Sequence, residues 1–222
     1  MVEPYIHLIL LLLLSYLTGS FPTSIIMGKL VKRIDIRDHG SGNAGGTNVF
    51  RVLGCKPALV VVIIDIFKGW LPTAIYATTL FQNQPINDVG VIQILCGFAA
   101  VLGHTYTIFA GFHGGKGIGT LAGMLIALFP IAFPLCLIVF ILTLILTGYV
   151  SLSSICATVS LPIILFILPI FGIQQGTLSL LIFALLVPFF AIFTHRSNII
   201  RLRERTENRF EKAMIFKKKK RN

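Results

Sequence analysis

The sequence predicts an all-α polytopic membrane protein of seven transmembrane helices, with its N-terminus outside and its C-terminus cytoplasmic. Three observations carry that expectation. The 222 residues are 55% hydrophobic and only 12% charged, whereas soluble domains carry roughly 25% charged residues. Apolar runs recur at the length of about 20 residues that a helix needs to cross a bilayer. Apart from Lys68, the lysines and arginines fall in alternate connectors and in the C-terminal stretch, the bias of cytoplasmic loops. One membrane-embedded domain is therefore expected over residues 1–222, with a basic cytoplasmic tail at 196–222. The net charge of +11 is distributed for anionic lipid headgroups, with Lys217 to Arg221 as a lipid-surface anchor, and not for nucleic acid.

The first run extends from about Pro4 to Met27 and is stopped by Lys29, Lys32 and Arg33. It lacks a basic n-region and a small-residue cleavage site, so it reads as a retained helix and not a signal peptide. The polar loop 28–56 follows. The second run, Pro57 to Leu80, is interrupted by Asp65 and Lys68, and the connector from Gln82 to Asp88 has no basic residue. The third run, Gly90 to Phe109, leads into a polar loop at 111–117. Residues 118–150 are apolar for too long to be one helix. Pro130 and Pro134 mark the expected reversal, because proline breaks a helix interior, and the fourth and fifth segments are both short. A polar patch at 148–154 precedes the sixth run, Ile155 to Phe171. A turn at 172–176 precedes the seventh, Thr177 to Phe193. With the N-terminus outside, every glycine-rich or polar stretch falls on the cytoplasmic face, and the outer connectors around 81–89, 130–134 and 172–176 lack Lys and Arg entirely. Such one-sidedness favours an interfacial enzyme over a pore.

The polar loops carry the chemistry. Gly40-Ser41-Gly42-Asn43-Ala44-Gly45-Gly46-Thr47-Asn48 holds four glycines, two hydroxyls and two amides in nine residues, with Arg51 just beyond. Glycine lets successive N–H groups turn inward as a nest for anionic oxygens. Gly114-Gly115-Lys116-Gly117 repeats that character, and Lys116 is the only Lys or Arg between Lys68 and Arg196. Neither stretch fits GxxxxGK[ST], so this is no nucleotide P-loop. The two stretches are expected side by side, holding phosphate at the membrane surface. An arginine adds bidentate contact with phosphate oxygens. Asp65 and Lys68, at i and i+3, face one side of a helix, as an ion pair or as residues that orient the site. His195 and Asn198 share that spacing, and a histidine there can bind phosphate or act as a base. His104 and His113 are weaker candidates and His7 is incidental. Ser151, Ser153 and Ser154 can bind a polar substrate or cap the sixth helix. The four cysteines, Cys55, Cys96, Cys136 and Cys156, have no metal-ligand spacing. Neither a metal nor a cofactor is expected.

In these residues the chain resembles the bacterial acyl-phosphate-dependent glycerol-3-phosphate acyltransferases, the PlsY family. The matching segments are Gly40 to Asn48 with Arg51, Asp65-x-x-Lys68-Gly69, Gly103-His104 through Gly117, Ser151-Leu152-x-Ser154, and His195-Arg196-x-Asn198-Ile199-x-Arg201-Leu202, in the family's order. The family usually has proline where this chain has Ala44, alanine at Gly46, and Phe-Pro near Tyr106-Thr107. The resemblance implies transfer of an acyl chain from acyl phosphate to the 1-hydroxyl of sn-glycerol 3-phosphate at the inner membrane of a bacterium. It implies that Gly42, Asn43, Ala44, Gly45, Gly46, Thr47 and Asn48 cradle the acyl phosphate. Ser41, Arg51, Lys116, His195 and Asn198, with Ser151 or Ser154, take glycerol 3-phosphate. It implies a partner too, the phosphate acyltransferase that makes acyl phosphate. A transporter or binder of organophosphate anions uses similar loops and stands as the alternative.

Overall fold

The computed structural model describes residues 3–80, 88–173 and 176–210, which form helices joined by short turns. The expected all-helical class is what it shows. The residues 82–87 of the second connector, and Lys217 to Arg221, lie outside the described residues.

The first apolar run is two helices, α1 (Glu3–Ser20) and α2 (Thr23–Lys32). Pro22 explains the break: it has no N–H to give and it pushes the preceding Phe21 out of helical geometry. The carbonyls released there are taken up by side chains from elsewhere. The Thr107 hydroxyl donates to Ser20 O and Lys68 Nζ donates to Phe21 O at 3.0 Å. The polar stretch that follows contains a short 3₁₀ turn at Ile36–Asp38 and then α3 (Gly46–Leu53). The last third of the glycine-rich stretch expected as loop, Gly46 to Asn48, is therefore the first turn of a helix. The second apolar run begins with α4 (Cys55–Leu71), widens into a π-turn at Pro72–Tyr76 and ends in the single turn α5 (Ala77–Thr79).

The third run is α6 (Val89–Thr105), the fourth α7 (Ile118–Leu128) and the fifth α8 (Ala132–Thr147). The break between the last two falls at Phe129–Ile131, beside Pro130. At 11 residues, α7 is only about 16 Å long at 1.5 Å per residue, roughly half a bilayer core. The sixth run starts earlier than its apolar pattern does, with α9 at Val150–Ile167, so Ser151, Ser153 and Ser154 lie inside its first turns. Their hydroxyls do not cap it: those of Ser153 and Ser154 donate back to Tyr149 O and Val150 O. The seventh run is α10 (Leu178–Thr194), followed after a 63° bend by α11 (Arg196–Arg203).

Among the described residues, four stretches are long and apolar enough to cross a bilayer: Tyr5–Lys32, Cys55–Thr79, Val89–Ala110 and Val150–Phe171. The bent pair α10–α11 makes a fifth, and α7 and α8 are shorter apolar helices. Their outward faces are apolar, as on α8, where Leu137, Ile138, Ile141, Leu142 and Leu146 are all exposed.

The chain forms two compact units, Met1–Pro130 with Gly176–Leu180, and Ile131–Gln175 with Leu181–Asn222. In the first, α1 packs on α6 and α4 on α7 through small residues. A side chain at Gly103 would meet the Tyr16 carbonyl, and one at Gly123 would meet the Ile66 carbonyl. Such close backbone approach is how helices pack without a hydrophobic drive between them. A buried cluster of Ile25, Ile36, Ala44, Val49, Ala58 and Val61 lies beneath the glycine-rich stretch and gives it a fixed floor. In the second unit, α8 packs against α9, with Ala132, Cys136, Leu161 and Leu165 buried.

Candidate functional site

The first glycine-rich stretch folds around Asn48, which is 1% exposed. Its Oδ1 accepts the Ser41 N–H at 2.8 Å, and its Nδ2 donates to Ile36 O at 2.9 Å and His39 O at 3.0 Å. The side chain is thus spent on shaping the turn. Gly40 and Gly42 take positive φ of 64° and 72°, the left-handed region that glycine enters without penalty. The N–H groups of Gly42, Gly45, Asn48 and Val49 turn to His39, Asn43 and Gly45 carbonyls. Those of Asn43, Ala44, Gly46 and Thr47 meet no backbone acceptor among the described residues. They gather at the N-terminus of α3, where amide hydrogens and the helix dipole favour an anion. Arg51 is on α3, one turn past Thr47, and is half-buried.

The second stretch lies against the first. The amides of Gly114 and Gly115 donate to Thr105 O at 3.0 Å and His104 O at 3.1 Å, pinning the turn to the end of α6. A Cβ on Gly115 would run into His104 Nε2 and come within 2.6 Å of Ala44 O. Only a glycine lets the turn sit so close to the floor of the first loop. Lys116, half-buried, follows directly, and Gly117 (φ 76°) starts α7.

Beneath these turns lies a buried charge cluster. Lys68 Nζ is 2.9 Å from Asp65 Oδ1, with both side chains 5% exposed. Thr23 donates to Asp65 at 3.2 Å, and His104 Nδ1 is 3.7 Å from the same oxygen. Asp65, Lys68, His104, Ser20, Thr23 and Gly115 line one small cavity. The Asp65–Lys68 pair thus exists as spacing predicted, and it also braces the α1–α2 break. His104, ranked low from sequence, is the wall behind Gly115.

The second unit holds its own polar constellation, centred on a residue that sequence reasoning missed. Glu207 Oε1 accepts Ser151 Oγ at 2.8 Å and Asn198 Nδ2 at 2.6 Å, and Oε2 accepts Arg201 Nε at 2.7 Å. Burial alone pushes the Glu207 carboxyl up, but the donors of Asn198, Arg201 and Ser151 outweigh it and hold it below the ordinary carboxylate value. The chain returns because Arg205 adopts φ 59° after α11, letting Thr206 and Glu207 N–H donate to Arg201 O. No helical spacing relates Glu207 to Asn198, so periodicity gave no signal. His195, 3% exposed at the bend, directs Nδ1 to Ala191 O at 2.8 Å. That hydrogen bond places the proton on Nδ1, so Nε2 of the neutral ring is the acceptor. Ser154 is buried one turn along from Ser151.

Among the described residues no group of three or more His, Cys, Asp or Glu side chains is arranged to hold a metal ion. The family profile described as glycerol-3-phosphate acyltransferase matches residues 9–205. A protein named glycerol-3-phosphate acyltransferase from Chlorobium chlorochromatii is 44% identical, over 91% of this chain and 96% of its own length. One of the same name from Chlorobaculum tepidum is 43% identical, over 90% and 94%. Among solved structures, the chain is similar to PlsY, described as an integral membrane glycerol 3-phosphate acyltransferase. Its glycerol 3-phosphate form gives a TM-score of 0.78 at 35% identity, covering 91% of this chain and 95% of that one. Its lysophosphatidic acid form gives 0.76 at 34%, covering 91% and 94%. By sequence and by fold, the chain belongs to the glycerol-3-phosphate acyltransferase family.

Proposed function

We propose that this protein transfers the acyl chain of an acyl phosphate to the 1-hydroxyl of sn-glycerol 3-phosphate, giving lysophosphatidic acid and inorganic phosphate. The observation that carries the reading is the seating of Gly115 against Ala44, which sets the Lys116 turn beside a ring of inward amides at the start of α3. Two anion-binding elements side by side suit a reaction in which two phosphates must be held close. Relatives bearing the acyltransferase name, and a solved relative described in glycerol 3-phosphate and lysophosphatidic acid forms, support the same substrate class. The acyl-phosphate donor is our reading of the amide ring.

In this reading the turn from Gly42 to Thr47 cradles the acyl phosphate: Asn43, Ala44, Gly46 and Thr47 offer their backbone N–H groups, while the Gly42 and Gly45 N–H groups, donated to His39 O and Asn43 O, fix the turn. Asn48 holds their conformation. Ser41, Arg51 and Lys116 of the first unit bind glycerol 3-phosphate, Ser151, Ser154, His195 and Asn198 of the second are assigned to the same substrate on the family resemblance alone, and Asp65 and Lys68 brace the turns. The hydroxyl oxygen attacks the acyl carbonyl carbon, the bond from that carbon to the phosphate oxygen breaks, and the proton leaves with the phosphate. A mixed anhydride is already activated, so placement of the hydroxyl is the main task, and proximity supplies roughly 7–11 kcal/mol of such a barrier. We read the chain as one membrane-embedded domain of seven spans with the N-terminus outside, a reading supported by the alternation of basic connectors, and assign the site to the cytoplasmic face of a bacterial inner membrane. The phosphate acyltransferase that makes acyl phosphate is the expected supplier.

The test is purified protein with synthetic palmitoyl phosphate and glycerol 3-phosphate, following phosphate release, with acyl-CoA and acyl-carrier protein as rival donors. Turnover is expected with palmitoyl phosphate alone among the three, and to vanish in Lys116→Ala and Arg51→Ala. Turnover with acyl-CoA but not palmitoyl phosphate refutes the donor assignment.

A further inference from the structure

The two glycine turns have a second link, through Arg37. Asp35 caps the 3₁₀ turn Ile36–Asp38 by accepting the Arg37 N–H at 2.9 Å. The Arg37 side chain folds back on the same carboxylate, with Nε 3.1 Å from Oδ1 and Nη2 2.7 Å from Oδ2. That leaves Nη1, which crosses to the other segment and donates to Ala110 O at 3.0 Å and His113 O at 3.2 Å. His113 immediately precedes Gly114-Gly115-Lys116. The carbonyl of Ile36, next to Arg37 in the chain, accepts from Asn48, whose Oδ1 holds Ser41 N–H. A continuous polar path therefore runs from the approach to Lys116, through one guanidinium, to the residue that shapes the first turn.

We propose that Arg37 is a positioning residue that sets the spacing between the first glycine turn and Lys116. The assignment rests on the acyl-transfer reading above. A guanidinium alone has the donors to do this: its planar fork grips a carboxylate with two N–H groups and still presents a third to carbonyls at a fixed angle. A lysine ammonium can reach either the carboxylate or the carbonyls with defined geometry, not both. The Arg37 and Asp35 side chains are 31% and 24% exposed, and ion pairs of that exposure add little to global stability. The contact's value lies in register. Displacing a binding group by about 1 Å costs up to about 100-fold in rate.

The experiment compares wild type, Arg37→Gln, Arg37→Lys and Asp35→Asn by phosphate release from palmitoyl phosphate, with kcat and KM for each substrate and the thermal midpoint in the same detergent. Arg37→Gln is expected to lose about 10–100-fold in kcat/KM with a midpoint within a few degrees of wild type. Arg37→Lys should recover only part of that loss, and Asp35→Asn should fall between it and wild type. Arg37→Gln with wild-type constants overturns the assignment. So does a kinetic loss that merely tracks a lowered midpoint and is cured by assaying at lower temperature. Should Arg37→Gln not fold, Arg37→Lys decides: reduced kcat/KM sustains the role and wild-type values end it. A wild type that does not turn over palmitoyl phosphate refutes the acyl-transfer reading instead, whatever the variants do.

Discussion

Replacing Glu207 with Gln changes one atom's charge and leaves the side chain's shape. The native carboxylate accepts three hydrogen bonds, from Ser151 and Asn198 on one oxygen and Arg201 on the other. A glutamine has one oxygen. If that oxygen stays with Ser151 and Asn198, its amide nitrogen faces Arg201 Nε, donor against donor. If it turns to Arg201, the Ser151 hydroxyl can rotate to accept from the new NH2 group, but the Asn198 NH2 is left donor against donor in a buried site. A hydrogen bond to a charged group contributes about 1.5–3 kcal/mol, and Arg201 is a third exposed, so water recovers part of its loss. The expected destabilisation is about 2–3 kcal/mol, which in a chain of this size lowers the thermal midpoint by roughly 4–12 °C. Asn198 loses its anchor at the same time, so KM for glycerol 3-phosphate should rise in the folded fraction. The acid limb tests the charge itself. Because the folded carboxyl is held below its unfolded value, its contribution is fully present above the ordinary value of about 4.3. It disappears as pH falls from there through the depressed folded value. Wild type should therefore lose stability over that window more steeply than Glu207→Gln. Unfolding in detergent followed against pH makes the comparison, and a variant with wild-type midpoint, wild-type KM and an identical acid limb refutes the account.

Two other substitutions probe the first unit. Lys68→Met strands a buried carboxylate and should cost about 3–5 kcal/mol, whereas Asp65→Asn with Lys68→Met removes both charges and should be less damaging than Lys68→Met alone; additive losses in unfolding free energy contradict the pairing. Gly115→Ala forces a methyl group into His104 and the Ala44 carbonyl, so phosphate release should fall by roughly 100-fold. Gly111→Ala, where a Cβ meets nothing within 4 Å and the cost is the backbone strain of a φ of 64°, about 1–2 kcal/mol, should lose far less activity.

The apolar helices and the two glycine turns were legible because both are local signals. Hydropathy runs mark helices, and glycines in series mark turns that need positive φ. The Asp65–Lys68 pair was legible for the same reason, since i and i+3 meet on any helix. What escaped was long-range or conformational. Glu207 reaches Asn198 only through the left-handed turn at Arg205, and Arg37 meets residues 73 and 76 positions away. The start of α9 was misjudged because serines read as a polar boundary, yet their hydroxyls bond back to carbonyls one turn earlier and continue the helix. The sequence grouped Asn48 with the loop proposed to cradle acyl phosphate and gave no sign of its part in shaping that loop. Only three-dimensional proximity reveals that its donors are already engaged.

The interruption at Phe21–Pro22 bears on how the protein is made. Two of its carbonyls are answered by Lys68 and Thr107, residues that leave the ribosome tens of codons later. A nascent chain that has inserted only its leading segment therefore holds the Ser20 carbonyl without its Thr107 donor, and the Phe21 carbonyl with only local donors from Thr23, in an oily environment where each unmet group is costly. The arrival of α4 relieves one debt and the end of α6 the other. Truncations ending between residues 32 and 107 should stay bound to the insertion machinery or be degraded, and the earliest point of release marks when this hairpin closes.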